Sequence, residues 1–173
     1  LHVDHTAPGD ILFVDDDRWY DQSAELEAAL DSMGLTYDTW DTQHATVSRN
    51  GPPSPLLNQY DFVVWYTGYD WFQPLTYSEN VTLQAYLAQG GRLFFTSQDF
   101  LYYHHQTPLA QHYFGVASFL ESVEPSRLIG FGESASNTPP LPLIFDPYQN
   151  HGDGIFPANH SQPLIWSDRA LPA

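Results

Sequence analysis

Apolar residues in the first part of the chain fall into continuous runs and into stripes with helical spacing. Continuous apolar runs between polar residues are typical of strands buried on both faces, and an alternating segment is typical of a strand with one buried face. Three aspartates, Asp15 to Asp17, directly follow the first run. The pattern predicts four strands, at residues 10–15, 35–41, 61–66 and 92–96.

Two amphipathic stretches between these runs predict helices. Residues 21–33 carry an apolar stripe, and Gly34 follows at the position where a left-handed residue commonly ends a helix. Thr76 and Glu79 have the spacing of a capping box, which predicts the start of a second helix that ends at Gly90.

The pattern weakens towards the C-terminus. Pro108 suits the first position of a third helix, which is predicted to end near Gly115. Short strands are predicted at 126–131 and 141–145. The glycines, acids and amides of 151–159 predict turns.

This order of elements predicts an α/β fold. The connections are long enough for right-handed crossovers, so the sheet is expected to be mostly parallel. The simplest architecture is a flavodoxin-like three-layer sandwich with strand order 2-1-3-4 and irregular C-terminal strands. Residues 1–9 are predicted to be a linker or an arm leading into the fold, and 10–173 a single domain excised from a larger multidomain protein.

The amino-acid composition argues against two classes of binding partner. The chain has 173 residues, with 21 acidic and 5 basic side chains and a formal charge of −16; every basic residue is an arginine. Such a balance repels nucleic acids and anionic membranes, so neither is expected as a partner. The absence of cysteine excludes disulfides and a thiol nucleophile. No apolar run is long enough to span a bilayer.

Acidic residues follow three of the predicted strands. Asp15 and Asp17 come after the first strand, with Asp16 pointing to the opposite side, while Asp70 and Asp99 follow the third and fourth. The carboxyl ends of parallel strands share one edge of a sheet, so Asp15, Asp17, Asp70 and Asp99 could bind a hard cation such as Ca²⁺. The alternative is that the aspartate triplet caps the following helix.

Ser97 lies where the fourth predicted strand ends. A serine at a sharp strand end is the position of a nucleophile elbow, although the flanking glycines of that motif are missing. The alternative is a serine that makes a turn or a cap. Asp99 or a histidine could support such a serine, and no spacing singles out one of His104, His105, His112, His151 and His160 as the base.

Aromatic residues cluster after the third predicted strand. Tyr69, Trp71 and Phe72 fall in a loop and could line a cleft for a sugar or a peptide. The alternative is a small core beneath the loop.

The segments ILFVDDD, YDTWDT, YDFVVWYTGYDW, LTYSENVTLQAYLAQGGRLFFTSQDFLY and TPLAQHYFGV together resemble a known domain type. It is the class I glutamine amidotransferase-like domain found in large secreted bacterial proteins, chiefly immune inhibitor A-type and subtilisin-like peptidases. The resemblance covers about residues 10–160. It implies a flavodoxin-like fold and an extracellular or cell-surface location.

The resemblance places the amidotransferase nucleophile near Ser97, where those enzymes have a cysteine. The chain has no cysteine, and it has no paired His and Glu late in the sequence. The resemblance therefore implies the fold without glutaminase activity. We expect a non-catalytic accessory or binding domain that contacts other domains of the same polypeptide and binds a peptide or a carbohydrate. The alternatives are a serine hydrolase that uses Ser97 and a carbohydrate-binding module.

Overall fold

The structure, a computed structural model, describes residues 10–43, 50–130, 139–144 and 152–169. The chain divides into two compact units, Leu1–Phe100 and Leu101–Ala173. The division falls within the range that the sequence predicted as a single domain. Each unit is described below by itself.

The first unit is built on a parallel sheet of four strands in the order β2-β1-β3-β4. The α/β class, the parallel sheet and the strand order are those predicted from the apolar runs. The observed strands are β1 Ile11–Asp15, β2 Asp38–Asp41, β3 Phe62–Tyr66 and β4 Arg92–Thr96.

Helices connect the strands as the crossover rule requires. The capping box predicted for α3 is present: Thr76 Oγ1 accepts from the Glu79 backbone N–H at 3.3 Å, and Glu79 Oε2 accepts from the Thr76 N–H at 2.6 Å. Gly34 follows α1 with a φ of 68°, in the left-handed region that favours glycine. The connecting helices are α1 Ala24–Ser32, α2 Ser54–Leu57 and α3 Tyr77–Ala88; α4, Phe100–His104, follows β4 and begins at the last residue of the first unit.

Both faces of the central strands are buried, which explains why their sequences lack alternation. Phe13 and Val64 pack with Leu30 of α1 in one cluster. Neighbouring residues point to the other face, where Leu12 and Trp65 are fully buried. This arrangement is the three-layer sandwich predicted from the sequence.

The second unit contains short antiparallel strands. β5 Val116–Leu120 pairs with β8 Gly154–Pro157. A separate three-stranded sheet has β6 Arg127–Gly130 in its centre, between β7 Leu141–Pro142 and β9 Ile165–Ser167.

The helix expected from Pro108 to near Gly115 is present as a short π-helix, Leu109–Tyr113. One prediction for this unit was wrong. The segment 151–159, predicted to form turns, contains β8; β8 pairs with β5, far back in the chain, so local residue patterns gave no signal. No helix in the described ranges is long and apolar enough to cross a membrane.

Candidate functional site

A cavity of about 350 Å³ opens at the carboxyl edge of the parallel sheet. Its walls come from the loops that follow β1, β2 and β3 and from the start of α3. With the order β2-β1-β3-β4, the connections that leave β1 and β3 run to opposite sides of the sheet, and ligands of open α/β sheets bind at such switch points. The lining residues are Asp16, Arg18, Trp19, Thr42, Gln43, Asp70, Gln73, Pro74, Thr76 and Glu79.

Asp16 lines this cavity, and a hydrogen bond from the protein holds its carboxylate. Its side chain is buried, and Oδ2 accepts a hydrogen bond from Trp65 Nε1 at 3.0 Å. Burial, with the nearby charge of Glu79, raises the pKa of Asp16 well above its usual value. Thr42 also lies beside the carboxylate and lowers the pKa of Asp16, which offsets part of that rise.

Glu79 is fixed in the cavity wall by two backbone groups. Its Oε2 completes the capping box with Thr76, and its Oε1 accepts from the Gly51 N–H at 2.6 Å. The side chain is 4% exposed. One carboxylate therefore joins the start of α3 to the loop before α2.

Asp70 and Arg18 form an ion pair across the cavity. Arg18 Nε donates to Asp70 Oδ2, and Nη2 donates to the carbonyls of Phe72 at 2.6 Å and Gln73 at 3.1 Å. Burial raises the pKa of Asp70, and Arg18 offsets part of that rise. The Arg18 guanidinium also lies 5.8 Å from the centre of the Trp19 ring.

The backbone on both sides of the cavity is strained. Arg18 has a φ of 63° and Gln73 a φ of 53°, both in the left-handed region that non-glycine residues rarely adopt. The hydrogen bond from Arg18 Nη2 to the Gln73 carbonyl joins the two strained residues. Strained residues held in this way concentrate at ligand sites.

The acids predicted to bind a cation lie in different places. Asp15 and Asp17 are neighbours on the α1 side, where the Asp17 N–H donates to Asp15 Oδ1 at 3.4 Å and Asp17 Oδ2 accepts from the Gln22 N–H at 2.7 Å. Asp70 instead lies with Asp16 and Glu79, whose charges act on one another.

Asp99 occupies the loop after β4 with a φ of 56° and is not among the residues that line the cavity. Within the described ranges, no group of three or more His, Asp or Glu side chains is arranged to hold a metal ion. The calcium site stays a prediction.

The pH dependence of stability tests whether the buried charge of Asp15 destabilises the fold. Burial, followed by the charges of Asp17 and Asp41, raises the pKa of Asp15 from 3.8 to about 6. Because the folded-state pKa is the higher one, this group costs stability as pH rises from about 4 through 6. We expect Asp15→Asn to raise the free energy of unfolding by about 1 kcal/mol at pH 7 and to leave it unchanged below pH 4, since solvent screening reduces the full effect.

Urea denaturation at both pH values would measure this difference. Asp10→Asn, at an exposed position just before β1, is the matched control. A gain of equal size at both pH values would show that the Asp15 charge is not responsible.

Ser97 lies at the end of β4, as predicted, and its hydroxyl makes two hydrogen bonds, one to the end of the neighbouring strand and one to the next residue in the chain. Its hydroxyl accepts from Thr67 Oγ1 at 2.7 Å and donates to the Gln98 carbonyl at 3.0 Å. Ser97 is not among the described non-glycine residues with positive φ, so the backbone is not held in an elbow. Every described histidine belongs to the second unit, and His151 lies outside the described residues.

Two rings of the predicted cluster are exposed, but they do not form a flat binding surface. Trp71 and Phe72 are each 54% exposed, and their rings meet edge-on, with centroids 6.1 Å apart and planes at 71°. Tyr69 packs edge-on against Tyr20 at 5.6 Å. None of the three predicted rings lines the cavity, whereas Trp19, at 61% exposed, does.

Sequence reasoning missed several cavity residues. Asp16 was predicted to point to the opposite side from Asp15 and Asp17, and the structure confirms this. Nothing in the sequence indicated its hydrogen bond with Trp65. Glu79 was recognised only as a capping residue. Trp19 and Gln43 lie in loops without a motif; the position of Trp19, two residues after the acidic triplet, was the one available signal.

The fold and the cavity define an α/β protein with a polar ligand-sized cavity at the switch point of a flavodoxin-like parallel sheet. No protein-family model, curated protein or solved structure matches the chain.

Proposed function

We propose that this chain is a non-catalytic accessory domain that binds a ligand in the cavity at the sheet edge. The observation that carries the proposal is that all three cavity carboxylates are held by hydrogen bonds from the protein while the cavity between them is open. Side chains held in this way are preorganised for recognition. The switch-point position supports the same conclusion.

The contacts of the cavity acids also favour binding over catalysis. Glu79 accepts from two backbone N–H groups and Asp70 from a backbone N–H and Arg18. These bonds fix the carboxylates in place through structural contacts. The hydroxyl of Ser97 is likewise engaged by Thr67 and Gln98, which gives no support to the hydrolase alternative.

The wider setting of the domain follows from its resemblance to the amidotransferase-like domains of secreted bacterial peptidases. We propose that the chain is part of such a secreted or cell-surface protein, in which other domains of the same polypeptide carry out the catalysis. The strand order of the first unit is the flavodoxin-like order that this resemblance implies.

Reaction with a fluorophosphonate probe, followed by intact mass measurement, separates the accessory domain from a serine hydrolase. We expect no adduct on the native chain, while a known serine hydrolase treated in parallel is labelled. Ser97→Ala and Ser32→Ala, the latter changing a serine near the end of α1, are measured beside it. A single adduct that disappears only in Ser97→Ala would establish an activated serine and reject the proposal.

A further inference from the structure

The cavity offers acceptors for hydroxyl groups. An ionised carboxylate has about four lone-pair sites. Within the described residues, hydrogen bonds occupy two of these sites on Asp70, two on Glu79 and one on Asp16. Each carboxylate therefore retains acceptor capacity, and all three residues line the cavity.

The same cavity also offers donors. A guanidinium has five N–H groups, and the hydrogen bonds of Arg18 within the described residues use those on Nε and Nη2. Gln73 adds a side-chain amide to the lining, with both a donor and an acceptor. Acceptors and donors thus face one small space.

An apolar surface completes the lining. The Trp19 ring is largely exposed and borders the cavity, and Pro74 lies in the same wall. Aromatic rings beside precisely placed polar groups are typical of sites for polar organic ligands.

The charged groups of the lining indicate whether an anionic, a cationic or a neutral ligand suits the cavity. An anion would be repelled by the negative charge of the acidic lining, and a small cation would meet the Arg18 guanidinium, which already holds Asp70. A neutral ligand with many hydroxyl groups can use both donors and acceptors. The volume of about 350 Å³ is at the small end of the range of roughly 300–1,000 Å³ for ligand pockets.

We propose that the cavity binds a single neutral sugar unit, with the hydroxyl groups on the carboxylates and Arg18 and the apolar face of the sugar ring on Trp19. This inference rests on the proposed binding function and names its ligand class. It differs from the sequence-based expectation, in which Tyr69, Trp71 and Phe72 form the sugar site.

Saturation-transfer NMR on the full chain tests this inference. The probes are the methyl glycosides of glucose, galactose, mannose and N-acetylglucosamine, with glucuronic acid and N-acetylarginine amide as charged probes. Binding of CaCl₂, which has no protons to observe, is measured separately by calorimetric titration. We expect at least one neutral glycoside to bind, with Kd in roughly the millimolar range, and the charged probes to bind more weakly.

Three single variants locate the binding. Trp19→Ala is expected to weaken binding of that glycoside about tenfold, because it removes the ring that borders the cavity. Tyr77→Ala is the matched control, since this ring is exposed and does not line the cavity. Trp71→Ala tests the alternative ring cluster and is expected to bind as the native chain does.

Each other outcome has a defined meaning. Loss of binding in Trp71→Ala but not in Trp19→Ala would move the site out of the cavity and overturn the inference. Binding of N-acetylarginine amide or Ca²⁺ without any glycoside would overturn the ligand class while leaving a binding domain in place. No binding of any probe would also overturn the inference, and a Ser97 adduct beside it would reject the proposed function as well.

Discussion

Trp65→Ala is expected to lower the free energy of unfolding by about 3–5 kcal/mol, the largest effect that we predict for a single change in this chain. Trp65 is fully buried in the middle strand β3, so truncation leaves a large cavity. It also removes the Nε1 donor of buried Asp16, and an unpaired buried carboxylate adds to the loss. Urea denaturation at pH 7, followed by circular dichroism, measures the change.

Two variants separate packing from hydrogen bonding. Trp65→Phe keeps a six-membered ring but loses the donor and part of the indole volume, so we expect a smaller cost of about 1–2 kcal/mol. Trp71→Ala, which removes an exposed indole from the same unit, is expected to stay within about 0.5 kcal/mol of the native chain. Equal effects of Trp65→Ala and Trp71→Ala would contradict the burial of Trp65 in the sandwich.

Arg18→Ala is expected to lower the free energy of unfolding by about 2–3 kcal/mol at pH 7. The change leaves Asp70, 3% exposed, without its cation. The loss falls short of the roughly 3–5 kcal/mol seen for fully buried pairs because the Arg18 side chain is 30% exposed. Burial already raises the pKa of Asp70, and removing Arg18 raises it further. The cost therefore grows as pH rises and shrinks as pH falls and Asp70 takes up a proton.

Urea denaturation at pH 4 and pH 7 measures this dependence. The double variant Arg18→Ala/Asp70→Asn is expected to regain most of the loss at pH 7, because no charge is left unpaired. Arg92→Ala, an exposed arginine of the same unit, is the control. If the cost of Arg18→Ala were the same at both pH values, the contacts with the Phe72 and Gln73 carbonyls would account for it instead.

The parallel sheet was predictable because its signals are local. The apolar runs of β1 and β3 reflect burial on both faces, and the capping box of Thr76 and Glu79 marks the start of α3. The second unit gave weaker signals: β8 and β9 are short, and each pairs with a strand distant in sequence, so their residues carry no pattern that identifies them. A π-helical turn at Leu109–Tyr113 has no residue pattern that distinguishes it from an α-helix.

The candidate site was predictable only in its location. The acids after β1 and β3 pointed to the carboxyl edge of the sheet, but the choice of Asp16 over Asp15 and Asp17 depends on Trp65 Nε1. The part played by Glu79 depends on the Gly51 N–H. These partners meet only once the tertiary structure has formed.

The contacts around the cavity are expected to form late in folding. Arg18 and Asp70 are 52 residues apart, and Trp65 and Asp16 are 49 apart, so its contacts form only after long stretches of chain have been brought together. On a growing polypeptide, β1, α1 and β2 emerge before any wall supplied by β3 and α3 exists. The acids of the first loop therefore stay in water until the first unit is nearly complete. A ligand of the cavity binds only that completed unit and so stabilises it against unfolding.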